Sequence, residues 1–192
     1  MIKLFHGTTD VLYDKFIKKR GLLPPNKTGW HSIWKDTKEV HVRDDVIYLT
    51  EFFAYALIYG QMIVRDKGRV HKNIVVLEVE VDENTLEPEE DKRNHQIRPV
   101  NNWQESLYYF HSVQTKIPPK ILRVGRIPYK LAMNDKNLPN YVYNYFDRGF
   151  IEKDVKDDEP TMFERLVGYD MYFAEKYCNW KDIEHPFVNT LE

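Results

Sequence analysis

The stretch FHGTTDVLYDKFIKKRGLLPP, residues 5–25, sets the order of the first elements of the chain. Residues 2–5 form an apolar run that predicts a short strand, and the segment that follows has apolar residues at helical spacing. A threonine or aspartate just before this helix is expected to cap it, and Gly21 is expected to end it in a left-handed conformation. His6 and Gly7 therefore lie between two elements of the fold.

The rest of the chain predicts more strands than helices. The clearest strand covers 74–81, where apolar residues alternate with Glu78 and Glu80. In chain order, the other predicted elements are a loop over 24–45, a strand over 46–49, a helix capped by Thr50, a loop over 82–102, and strands over 107–113 and 121–127. This order predicts a mixed α+β fold.

The chain divides into two regions that differ in composition. Residues 1–130 are expected to form the core, and residues 131–192 an aromatic and then acidic C-terminal extension. In this extension a capping-box pattern at 161–164 precedes apolar residues on one helical stripe. We therefore expect a C-terminal helix that packs on the core.

Composition limits the classes of function. The chain has 192 residues and a net charge of −2, which argues against broad electrostatic capture of nucleic acid. No apolar run approaches the length of a membrane span, and the start of the chain lacks the apolar core of a signal peptide. Cys178 is the one cysteine, so an intrachain disulfide is excluded. These features favour a cytoplasmic protein without a membrane partner.

Three motifs together carry a resemblance to a known family. They are Phe5-His6-Gly7-Thr8 followed by a helix and Gly21-Leu22, then Val46-Ile47-Tyr48-Leu49-Thr50 followed by a helix with Ala56 and Tyr59, and a β segment near Ile117-Pro118-Pro119. In this combination, over residues 1 to 127, the chain resembles the ADP-ribosyltransferase superfamily, in the branch related to diphtheria toxin and the poly(ADP-ribose) polymerases. The resemblance implies split antiparallel sheets with flanking helices, and NAD⁺ as the ADP-ribose donor without a metal.

The resemblance also implies a role for each matched residue. His6 would bind ribose hydroxyls, and the backbone of Gly7 would hold the nicotinamide carboxamide with no side chain in the way. Thr8 would support the adenosine side. Tyr48 and Tyr59, eleven positions apart, would stack on the two faces of the nicotinamide ring.

The sequence departs from the family at two places. A late-strand glutamate of the transferases is absent, and the residues nearest that place are His111, Ser112 and Gln114. We take His111 and Gln114 as candidates for its role, because Glu105 lies too far upstream. Without that glutamate, chain elongation is not expected. Ala56 stands where the polymerases commonly place a hydroxyl that contacts the carboxamide, which implies weaker or differently arranged nicotinamide binding.

Each candidate also has a purely structural interpretation. His6 is also compatible with a packed histidine at a strand end, and Tyr48 and Tyr59 with core aromatics. Three functions stay open on these residues: a mono-ADP-ribosyltransferase acting on a macromolecule, with protein favoured over nucleic acid, an inactive module that binds NAD⁺ or ADP-ribose, and an RNA 2′-phosphotransferase. The last lacks the Arg-rich signatures of its family.

Overall fold

The structure is a computed structural model that describes residues 1–29, 43–67, 72–90, 99–110, 112–134 and 174–183. Its strands are β1 (Ile2–Thr9), β2 (Ile47–Leu49), β3 (Asn73–Val81), β4 (Leu86–Pro88), β5 (Val113–Thr115), β6 (Lys120–Pro128) and β7 (Asn179–Asp182). The first helix, α1, is continuous over three pieces: Asp10–Leu12, a π-helical turn Tyr13–Ile17, and Lys18–Arg20. The other helices are α2 (Pro25–Thr28), α3 (Phe53–Lys67), α4 (Trp103–Phe110) and α5 (Tyr129–Asn134). Residues 174–177 are also helical.

All these strands belong to two antiparallel sheets. The first sheet has the order β1-β3-β6-β7, and the second has the order β2-β5-β4. The predicted mixed α+β class is confirmed at this level. The C-terminal strand β7 pairs with β6, so residues 179–182 complete the edge of the first sheet.

The first sheet is covered on both faces. On one face, Phe5, Ile74 and Val76 pack with the side chains of α3 and with the buried Cys178. On the other face, Leu77 joins a second cluster that includes residues of α1 and of the second sheet, among them Leu49. Because both faces of β3 are covered, its residues 74–79 are buried without interruption, including Glu78.

The start of the chain follows the prediction at its cap but differs at two points. Thr9 Oγ1 accepts a hydrogen bond from Leu12 N at 3.4 Å and caps α1. Gly21 ends the helix with a positive φ of 77°, but its extended ψ of 177° is not the predicted left-handed conformation. However, β1 runs on to Thr9 instead of ending at residue 5. His6 and Gly7 thus lie inside a strand that pairs with β3, and not after it.

The strand predicted over 107–113 is wrong. Residues 103–110 form helix α4, and only Val113–Thr115 is a strand. Asn102 Oδ1 accepts from Glu105 N at 2.8 Å, and Glu105 Oε2 accepts from Asn101 N at 2.8 Å, an arrangement that resembles a capping box. This pattern starts the helix in spite of the β-prone aromatic residues that follow it.

The two predicted loops are wrong in part. Helix α2 lies in the first of them, and a 3₁₀ turn (Glu83–Thr85) and β4 lie in the second. Most of the predicted C-terminal helix lies outside the described residues.

Candidate functional site

A single antiparallel bridge joins the two sheets in the described part of the chain. Phe5 N donates to Thr50 O at 2.7 Å, and Thr50 N donates to Phe5 O at 3.0 Å. One residue further along β1, His6 Nδ1 lies 2.9 Å from the carbonyl oxygen of Tyr48. The structure therefore brings together two of the residues that the sequence proposes for donor binding, one from each sheet.

The partner of His6 determines its tautomer. A carbonyl oxygen only accepts, so Nδ1 of His6 carries the hydrogen and donates it to Tyr48 O. In the neutral ring, Nε2 is then an acceptor with a free lone pair. Burial lowers the pKa of His6, against a smaller raising effect of this hydrogen bond, so the neutral form is favoured. Nε2 is thus suited to accept a hydrogen bond from a hydroxyl group.

Gly7 lies where α3 crosses β1. A Cβ on Gly7 would be 1.6 Å from Ala56 O and 3.0 Å from Gly60 N, and one on Gly60 would be 2.8 Å from Thr8 O. The small residues at 7, 56 and 60 therefore let the helix backbone lie directly on the strand. Close packing is thus a sufficient reason for the glycine, whether or not a ligand binds there.

The backbone groups of Gly7 face the open edge of β1. Successive residues of a strand direct their N–H and C=O groups to opposite edges, and Phe5 directs both of its groups to Thr50. Gly7, two residues on, therefore directs its groups to the same edge, where no described strand pairs with it. A donor and an acceptor side by side are complementary to a carboxamide.

Three polar side chains form a row across one face of the second sheet, which we call the Tyr48 row. Tyr48 on β2 lies opposite Gln114 on β5, and Gln114 lies opposite Glu87 on β4. Directly paired residues share a face, and Gln114 Nε2 is 3.5 Å from Glu87 Oε2. Gln114 is fully buried, and its Oε1 has no hydrogen-bond partner among the described residues.

Tyr48 is held at its hydroxyl end. Arg43 N donates to the hydroxyl oxygen at 3.2 Å, and Tyr48 keeps a partly buried ring. Burial raises the pKa of Tyr48 to about 12, so the phenol is neutral at physiological pH. A neutral ring fixed at both its backbone and its hydroxyl is suited to stacking and not to proton transfer.

Charges line the rim beside the Tyr48 row. The guanidinium of Arg43 contacts Asp45, Glu87 and Glu90 at 2.7, 3.3 and 2.9 Å, and Lys116 Nζ is 4.0 Å from Asp45 and 3.9 Å from Glu87. The hydrogen bond from Arg43 lowers the pKa of Asp45. Within the described residues, the two cations of this rim thus lie among the carboxylates of Asp45, Glu87 and Glu90.

The other proposed residues are more scattered. Thr8 is buried and pairs with Val75, and Tyr59 is partly buried against the cluster around α3. His111 lies outside the described residues. Stacking by Tyr59 and a catalytic role of His111 stay predictions.

Sequence reasoning missed Glu87 and Arg43. Glu87 stands in a segment predicted as loop, although Leu86 is buried and Glu87 is not. Over only three residues, this alternation of buried and exposed side chains is a weak indication of a strand. Only the register of β4 against β5 brings Glu87 beside Gln114.

Comparisons with protein-family models, with curated proteins and with solved structures found no match. Within the described ranges, none of the helices combines the length and apolarity that crossing a membrane requires.

Proposed function

We propose that the chain is an NAD⁺-dependent mono-ADP-ribosyltransferase with an ADP-ribosyltransferase-like fold, working in the cytoplasm on a macromolecular acceptor, with a protein favoured. The observation that carries this proposal is the hydrogen bond of His6 to the Tyr48 backbone. It joins, across the split between the sheets, the two residues that the family resemblance assigns to ribose and to nicotinamide.

Two further features support donor binding there. The open-edge N–H and C=O of Gly7 suit the carboxamide, and Nε2 of His6 suits a ribose hydroxyl. NAD⁺ supplies the ADP-ribose group and a nicotinamide leaving group. In this arrangement His6 binds and orients the ribose, Tyr48 stacks on the pyridine ring, and Gly7 fixes its amide, which favours stretching of the glycosidic bond.

The test is transfer of label from NAD⁺ to macromolecules of a cell extract by the purified chain. We expect His6→Asn to retain the hydrogen bond to Tyr48 O through its amide N–H but to lose the Nε2 acceptor. Label transfer should then fall by about 100-fold or more with the fold intact. Lys181→Ala, an exposed change in β7, serves as the control and should transfer as the wild type does. Equal labelling by wild type and His6→Asn contradicts the assigned role.

A second function is favoured by one observation. The neutral amide of Gln114 lies opposite Tyr48, in the part of the chain where the family places its glutamate. An amide does not take up a proton from a nucleophile, which suits a module that binds NAD⁺ or ADP-ribose without turnover. Saturable NAD⁺ binding without release of nicotinamide supports this module, and steady release excludes it.

A further inference from the structure

We propose that Glu87 is the catalytic carboxylate of this site, supplied by β4 in place of a glutamate on β5. This inference rests on the proposed function. The sequence has Gln114 on β5, and the register places Glu87 directly opposite it on the neighbouring strand. Relative to a glutamate on β5, this carboxylate lies one strand further along the Tyr48 row, on β4.

Accessibility distinguishes the two side chains. Gln114 is fully buried, whereas the Glu87 side chain is 41% exposed. An acceptor arriving from solvent therefore reaches Glu87 and not Gln114. Only the carboxylate can also take up a proton.

The surroundings of Glu87 fix its position. Oε2 contacts Arg43 Nη1 at 3.3 Å and Gln114 Nε2 at 3.5 Å, and Oε1 lies 3.9 Å from Lys116 Nζ. The other end of the same Gln114 amide is the buried Oε1 that has no partner in the described part of the chain. A fully buried acceptor of this kind indicates a missing hydrogen-bond donor.

The reaction step balances with these groups. The bond between ribose C1′ and the nicotinamide nitrogen breaks, and its electron pair stays on that nitrogen, which becomes neutral. A hydroxyl or amine of the acceptor forms the new bond to C1′ and loses one proton, which passes to Glu87 and then to water. While positive charge is on the ribose, the same carboxylate stabilises it.

Glu90 provides a matched control because it contacts the same Nη1 of Arg43, at 2.9 Å. Glu87→Gln and Glu90→Gln each remove one negative charge beside Arg43. We expect Glu87→Gln to lower transfer of label by about 100-fold and to change the dissociation constant of NAD⁺ by less than about threefold. Glu90→Gln should retain the wild-type rate and the wild-type dissociation constant of NAD⁺.

A double variant tests the position of the carboxylate. In Glu87→Gln combined with Gln114→Glu, we expect at least about tenfold recovery over Glu87→Gln alone. If thermal unfolding shows that Glu87→Gln is not folded, Glu87→Asp replaces it. This variant keeps the negative charge on a side chain one methylene shorter, and its rate of label transfer should lie between that of wild type and zero.

The outcomes separate this inference from the proposed function. If the wild type turns over NAD⁺ and the rate of Glu87→Gln is within about threefold of it, the role of Glu87 is overturned and the proposed transferase function is retained. Equal losses in Glu87→Gln and Glu90→Gln overturn it too, because the effect then acts through Arg43. A wild type that binds NAD⁺ without turnover overturns both the catalytic role and the transferase in favour of the binding module. A wild type that does not bind NAD⁺ removes the proposed function itself, before any variant is made.

Discussion

Gly7 lies against the backbone of Ala56 so closely that a Cβ on Gly7 would be 1.6 Å from the Ala56 carbonyl oxygen. The contact is between two backbones, and neither can move aside without shifting α3 relative to β1. This packing places the start of α3, and with it the Thr50 bridge, beside the strand that carries His6.

The first prediction follows from this contact. Gly7→Ala should lower the free energy of unfolding by about 3 kcal/mol or more, because the added methyl group overlaps the helix backbone. Gly29→Ala is the comparison: Gly29 has a φ of 71° but open space around it, so its cost of about 1 kcal/mol comes from backbone conformation alone. Urea unfolding of both variants measures the difference.

If both substitutions lower the free energy of unfolding equally, α3 and β1 separate easily enough to accommodate the added methyl group. The comparison also bears on function. Loss of NAD⁺ binding in Gly7→Ala would follow from disturbed packing alone, so that variant does not test the carboxamide contact.

The second prediction concerns pH and His6. Burial lowers the pKa of His6 in the folded protein below its ordinary value of 6.5. The unfolded chain therefore binds a proton more readily, and the contribution of neutral His6 to stability is complete above about pH 6.5 and is lost as the pH falls towards the folded pKa. The free energy of unfolding of wild type should decrease more steeply than that of His6→Asn as the pH falls below about 6.5. Two curves that run parallel would contradict a lowered pKa of the partly buried His6 in the folded protein.

The sequence pattern predicted the long elements correctly because their tertiary environment favours the same structure as their local sequence. Strand β3 alternates in sequence and is central in its sheet, and α1 has its cap at Thr9. His6 and Tyr48, which the sequence proposes for one site, lie on two predicted strands and are in hydrogen-bond contact, whereas their roles stay predictions.

Apart from α4, the elements that were missed are short and stabilised by partners far along the chain. Strand β4 has three residues, includes Pro88, and lies at the edge of its sheet, where a missing N–H is tolerated. Nothing within three residues specifies the pairing with β5. Glu87 could not be placed from the sequence for the same reason.

Helix α4 was missed although the sequence contains its signal. The third prediction is that Asn102→Ala lowers the free energy of unfolding by about 1 kcal/mol, because Glu105 N loses its acceptor. Gln104→Ala, an exposed change inside the same helix, should stay within about 0.5 kcal/mol of wild type. Urea unfolding midpoints provide the measurement, and equal midpoints for the two variants would show that tertiary packing, not the cap, fixes the start of α4.

The fourth prediction concerns the C-terminal strand and Cys178. A Cβ on Gly125 would be 2.1 Å from Cys178 Sγ and 2.9 Å from the Trp180 ring, so both side chains lie directly on β6. Arg123 stacks on the ring at 4.2 Å, and Trp180 Nε1 donates to Ala174 O at 3.0 Å. Together these contacts hold the cysteine and β7 against β6.

Burial raises the pKa of the Cys178 thiol to about 12, so at about pH 8 the native thiol is both protonated and covered. A chromogenic disulfide reagent should react with it slowly in the folded protein and rapidly in urea. Trp180→Ala removes the ring that packs on Gly125 beside the cysteine and should raise the native rate by at least about tenfold through local opening. Lys181→Ala, on the same strand but exposed, should react as wild type does. If Trp180→Ala and wild type react at the same slow rate, the sulfur is protected by the rest of the core around α3 and not by the packing of β7.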